Sequence, residues 1–159
     1  MLNCPICKVP LLRIPDLFGE ARYRQTGARI EITPVGKPRQ TQRDKWMQRP
    51  NVMAYRAFAD KLRAETKRHR ITVPDAGLSL LFELPMPASW SKKKRREMLG
   101  QPHRQKPDID NLTKAVLDSL CGEDCTIWQL AGLEKRWAEV GAITFKLRKT
   151  SKKPAAIIA

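Results

Sequence analysis

No stretch of this chain approaches the ~20 consecutive apolar residues that a membrane span requires, so a spanning helix is not expected. The amino terminus lacks a basic start followed by an apolar run, so no secretory leader is expected and the expected location is the cytoplasm. No segment repeats. Cysteine is limited to Cys4, Cys7, Cys121 and Cys125, and in a reducing compartment these are thiols or metal ligands rather than disulfides. Acids are scarce: 16 Asp and Glu stand against 31 Lys and Arg, a formal net charge of +15. That balance calls for a polyanionic partner, DNA or RNA, since nothing favours a membrane. The 159 residues, 42% of them hydrophobic, suit one domain with a real core rather than a disordered chain.

Prolines and Gly19 punctuate residues 1–28, which read as an appendage of short turns or strands. Residues 29–34 alternate as a strand ending at Pro34, and 35–49 form a basic loop marked by Gly36, Pro38 and Pro50. Asn51 is the expected cap of a helix running to about Arg70. Residues 78–84 are the clearest strand, apolar enough to be buried. Ser91 caps a short helix to about Leu99, stopped by Gly100. Leu112, Val116 and Leu120 put an apolar stripe on a helix over 111–120. A strand over 127–137 with a turn at Gly132, and a second over 142–148, complete a mixed α/β (α+β) domain over 29–148; 149–159 read as a tail.

The few acids are concentrated where they are least expected. Asp108 and Asp110 lie two apart just ahead of a helix. On an extended segment their carboxylates would point the same way, roughly 6.6 Å apart, and such a pair is stable mainly beside a cation. Lys114 and Asp118 follow on one helical face, and Glu123-Asp124 come after the helix, able to return toward the first pair. Hard oxygen ligands of this kind suit Mg²⁺, which polarises a phosphate, activates water and stabilises a leaving oxygen. Spacing alone leaves another reading open: Asp110 as a helix cap, Lys114 and Asp118 as a surface pair, and Glu123-Asp124 as a polar turn.

These residues resemble the RusA family of Holliday junction resolvases, whose hallmark Asp-x-Asp-Asn-x-x-Lys-x-x-x-Asp is matched by Asp108, Asp110, Asn111, Lys114 and Asp118, with an acidic pair after the helix. The likeness extends over about 30–147. It takes in Gly36-Lys37-Pro38-Arg39, Tyr55-Arg56 and Met86-Pro87-Ala88-Ser89-Trp90-Ser91, features of phage-type and prophage-type members. The resemblance implies a homodimeric, Mg²⁺-dependent endonuclease (Mn²⁺ being an alternative ion) acting on four-way junctions. It makes Asp108, Asp110 and Asp124 the metal ligands and Lys114 the catalytic lysine. Two departures stand out: the connection from Asp118 to Asp124 is short, and Glu123 replaces the first Asp of the usual pair.

Two basic segments flank the acids. Lys37, Arg39 and Arg43 in one, and Lys92, Lys93, Lys94, Arg95 and Arg96 in the other, read as a surface that tracks the DNA backbone, with Lys106 nearest the cut. Trp90 and Trp46 could stack on bases at a branch point or could pack within the protein. Cys4 and Cys7 form half of a structural zinc site, which Cys121, Cys125 or His103 could complete; unmetallated thiols are the default. The function expected is a structure-selective endodeoxyribonuclease resolving Holliday junctions by paired symmetric nicks. The alternatives are a non-catalytic branched-DNA-binding protein and a nuclease for another branched intermediate.

Overall fold

A computed structural model describes residues 11–15, 21–25, 27–39, 41–46, 49–122 and 126–147. Cys4, Cys7, Glu123, Asp124, Cys125 and the expected tail over 149–159 lie outside the described residues. Strands β1 (Leu11–Pro15) and β2 (Ala21–Gln25) pair antiparallel as a two-stranded sheet of their own.

The main sheet contains β3 (Gly27–Ile30), β4 (Leu78–Pro85), β5 (Leu130–Ala138) and β6 (Ala142–Leu147), in the order β3-β6-β4-β5. Only β4 and β5 run parallel; β6 is antiparallel to both β3 and β4. With helices α1 (Pro50–Arg68), α2 (Lys92–Met98) and α3 (Ile109–Leu120), this is the α+β architecture expected from the sequence.

The core follows from side-chain periodicity. Alternate β4 residues Leu78, Leu80, Phe82 and Leu84 are buried, and their neighbours Ser79, Leu81 and Glu83 are half-buried. The strand therefore buries one face fully rather than both. Ile143 and Phe145 of β6 join that face. From the helices come Tyr55, Phe58 and Leu62 of α1, and Leu112, Ala115 and Val116 of α3, each set at three- and four-residue spacing. Arg63 on α1 donates to the Ser119 carbonyl at 2.8 Å, satisfying one of the carbonyls that the last turn of α3 leaves open.

Four differences from the sequence expectation have local reasons. Pro50 does not close a loop but opens α1, with Arg49 as N-cap in place of Asn51; proline at this position forfeits no helical hydrogen bond. Helix α3 begins at Ile109, two residues before Asn111. The ladder of β3 stops at Ile30, because the Ile32 amide bonds back to the Ile30 carbonyl at 3.0 Å and turns the chain aside. Gly132 makes no turn. Leu78 pairs with Leu130 and Ser79 with Gly132, so Ala131 is an extra residue and the glycine marks a bulge inside β5. A Cβ at Gly132 would stand 3.4 Å from the Ser79 hydroxyl.

Candidate active site

Residues 100–103 run antiparallel alongside β5. The Gly100 amide donates to the Trp137 carbonyl, the Trp137 amide to the Gln101 carbonyl and the His103 amide to the Lys135 carbonyl, at 2.9–3.0 Å. The Lys135 ammonium then donates to the carbonyls of Gln105 and Pro107, at 2.7 and 2.8 Å. The Lys106-Pro107 peptide is cis. By these contacts a non-helical stretch is fastened to the sheet up to the residue before Asp108.

Asp108 is the N-cap of α3, with extended backbone, but its side chain makes no cap hydrogen bond. Asp110 lies in the first helical turn, where the helix dipole favours an anion. Both are exposed. The two carboxylates therefore leave from a cap and a helical turn, not from one extended segment, and Asp110 does not cap the helix. Lys114 lies 3.9 Å from Asp110, and both side chains are about two-thirds exposed, so this is a loose pair screened by solvent. Asp118, a turn further on, is bonded instead to Lys37. Hard oxygen donors left uncommitted at a helix start fit a small divalent cation. Among the described residues no group of three or more candidate ligands is assembled, and the expected third ligand, Asp124, lies outside them.

The basic loop is built onto this helix. A Cβ on Gly36 would fall 2.8 Å from the Asn111 side-chain nitrogen and 3.3 Å from Pro107, so a side chain here would make the end of Asn111 shift. Beyond it, Asp44 is buried and accepts from Arg49 through two nitrogens and from the Thr41 amide, all at 2.5 Å. The Arg49 guanidinium, and after it the Thr41 amide, hold the Asp44 carboxyl down at about 2. Arg49 also donates to the Arg39 carbonyl at 2.9 Å. One acid thus orders a loop that otherwise carries cations. Arg39 and Arg43 remain exposed, and Trp46 is 88% exposed.

Helix α2 carries the second basic cluster. The Ser91 hydroxyl accepts from the Lys94 amide at 3.3 Å, the expected cap. Lys92, Lys93 and Arg96 face solvent, Arg95 is half-buried, and Lys94 sits 4.4 Å from the centre of the Trp90 ring. Trp90 packs on Trp137 at 4.9 Å between ring centres, and Trp137 packs on His103 at 4.0 Å. Of the two readings of Trp90, packing is the one the structure supports. His103 is buried and its Nδ1 accepts from the Gln105 amide; burial, and then the charge of Lys135, lower its pKa. These contacts give the imidazole a packing role beside Trp137. Lys106 is exposed next to the motif.

Of the expected site residues, Asp108, Asp110 and Lys114 lie at the N-cap and in the first turns of α3, Lys106 precedes them along the chain, and the Lys37 ammonium lies on Asp118 toward the other end of the helix. Lys135, Asp44, Arg49 and Asn111 organise the region, and sequence reasoning assigned none of them this role. Lys135 sits among other charged residues in a strand, with no local signal to single it out.

Carboxylates beside exposed cations are the parts with which metal-dependent phosphodiester-cleaving proteins neutralise phosphate. The model of the RusA endodeoxyribonuclease family matches residues 30–143, most of the chain, and the protein belongs to that family. No curated protein and no solved structure matches the chain. Family membership carries endodeoxyribonuclease activity, branched DNA as ligand and dependence on a divalent metal. No helix among the described residues is long and apolar enough to cross a membrane.

Proposed function

We propose that this chain is a Mg²⁺-dependent, homodimeric resolvase that cuts four-way DNA junctions by paired symmetric nicks. The observation that carries the reading is the exposed pair Asp108 and Asp110 at the start of α3, with neither side chain spent on capping the helix. Asp108 and Asp110, joined by Asp124, would hold the ion. Bound there, Mg²⁺ supplies charge neutralisation of the phosphate and activation of water; Mn²⁺ serves the same oxygen ligands. Lys114 balances the charge of Asp110 and offers a cation to the phosphate beside it. Arg39, Arg43, Lys92, Lys93, Arg96 and Lys106 hold the DNA backbone, and recognition rests on junction shape because phosphates carry no sequence information. Two symmetric cuts require two sites, which is the ground for the homodimer. The nuclease unit is assigned to residues 29–148.

The test is cleavage of an end-labelled four-way junction beside a linear duplex and a flap, in Mg²⁺ and then in EDTA. Paired nicks confined to the junction and lost in EDTA are expected. Salt-sensitive junction binding without nicks under any divalent ion would return Asp108 and Asp110 to a structural role in a DNA-binding protein. Equal cutting of the flap would broaden the substrate.

A further inference from the structure

We infer that Lys135 is a positioning residue for the metal-binding carboxylates, acting through the main chain that leads into Asp108. The inference rests on the proposed role of Asp108 as a metal ligand. Lys135 sits in β5 opposite Phe82 of β4, and both its nearest same-face neighbours in the strand, Leu133 and Trp137, pack inward. Lys135 itself is half-buried, and a lysine on the inward side of a strand must carry its ammonium out to hydrogen-bond acceptors or to solvent. Lys135 finds no acid among the described residues. It donates to two main-chain carbonyls, of Gln105 at 2.7 Å and of Pro107 at 2.8 Å. An ammonium has three donors and no fixed plane, so it can bridge two carbonyls that face different directions.

The position of those carbonyls gives the contact its meaning. Pro107 is the residue before Asp108, and the Asp108 carbonyl accepts the first hydrogen bond of α3, from Leu112 at 3.0 Å. The chain between the sheet and the helix is therefore held at both ends. On one side are the bonds of residues 100–103 to β5, and on the other is the first turn of α3. Residues 104–107 between them form no ladder and no helix; beside the long bond of the Gln105 amide to His103, the two bonds from Lys135 hold them. Without it, the backbone of these residues regains freedom that ordering had removed, and the Asp108 carboxylate would swing relative to Asp110. Outer partners of metal ligands act in this way, by fixing direction, and their loss commonly costs about 10- to 100-fold in metal affinity or activity. Lys135 is not itself a member of the core cluster of Leu80, Phe82, Ile143 and Phe145, and methionine at 135 would keep an unbranched stem of similar length against it.

The experiment compares full-length wild type, Lys135→Met, Lys135→Arg and Asp110→Asn. Mn²⁺ binding to the DNA-free protein is read from the free-ion electron paramagnetic resonance signal, and junction binding is measured in EDTA. K135M is expected to bind Mn²⁺ about tenfold more weakly while binding the junction within twofold of wild type. Its single-turnover cleavage should fall by about 10- to 100-fold and recover in part at high Mn²⁺. K135R, which keeps charge and donors, should lie nearer wild type than K135M in both readouts. Wild-type Mn²⁺ affinity and cleavage in K135M would overturn the inference, as would an equal loss in K135R and K135M. Should K135M fail to fold, Lys135→Gln carries the same expectation, and wild-type Mn²⁺ affinity in it overturns the inference equally. If the wild type itself binds no Mn²⁺, or binds it as well as D110N does, the failure belongs to the proposed metal site and not to Lys135.

Discussion

The ammonium of Lys37 is bonded to the carboxylate of Asp118, 81 residues away in sequence, and the pair joins the 35–39 loop to the last turn of α3. The loop's amide of Lys37 also reaches the Asn111 carbonyl, at 3.5 Å near the other end of the same helix. A cation engaged with a protein acid contributes less to counterion release than one facing only solvent. Arg43→Gln is expected to lower the slope of log binding constant against log salt by about 0.9, the value for one lost phosphate contact. Lys37→Gln should lower it by less. Junction binding measured without divalent ions at four or five salt concentrations separates the two.

Asp110→Asn removes one negative oxygen from the exposed pair and leaves the helix start otherwise unchanged. Single-turnover junction cleavage is expected to fall by about 100-fold or more. Binding in EDTA should hold or tighten, since a charge that repels phosphate is gone. Wild-type cutting by this variant would remove Asp110 from the reaction.

Asp44 gives a pH dependence with a definite sign. Its carboxyl is held below the ordinary value of 3.8, at about 2, by Arg49 and Thr41. The stabilisation is complete above the ordinary value and is lost as pH falls from there toward 2. Order in the basic loop should thus be constant from neutral pH down to about 5 and decline below 4. Asp44→Asn imposes the loss at neutral pH. Faster tryptic cleavage after Arg39 and Arg43 in this variant, with the rest of the chain resistant, is the expected outcome.

Two glycines separate a stability effect from an activity effect. A Cβ on Gly141 would meet the Thr33 backbone at 2.6 Å, where nothing can move cheaply. Gly141→Ala is expected to destabilise by about 1–3 kcal/mol. A Cβ on Gly36 meets the end of the Asn111 side chain, which can rotate, so Gly36→Ala should cost under about 1 kcal/mol. The side chain that must rotate is the neighbour of Asp110, however, and junction cleavage should fall out of proportion to the small change in melting temperature. Thermal denaturation beside single-turnover cleavage checks both.

Elements whose cause is local were legible in the sequence. The Ser91 cap and the Gly100 stop bound α2, the four-residue stripe of Leu112, Val116 and Leu120 marks α3, an apolar run marks β4, and the alternation of Ile143, Phe145 and Leu147 marks β6. The acids of α3 were legible as chemistry because carboxylates are rare in so cationic a chain. What escaped depends on partners far away in sequence. Gly132 reads as a turn until Ser79 is set opposite it. Trp90 is ambiguous until Trp137 lies beneath it, and Lys135 is one cation among 31 until the carbonyls of Gln105 and Pro107 surround its ammonium. Pattern on one strand or helix cannot reveal a contact whose other half lies about 30 residues away or more.

Residues 100–103 have a consequence for self-association as well as for the site. β5 stands at the end of the sheet order, where a strand offers unpaired amides and carbonyls to any extended chain it meets. By bonding to Lys135 and Trp137, this stretch occupies that outer rim at the end nearer the acids. A second polypeptide adding itself as a fifth strand would be confined to the first half of β5 or to the short rim at β3. The same segment that carries the chain toward Asp108 thereby guards this part of the sheet edge against pairing with another chain.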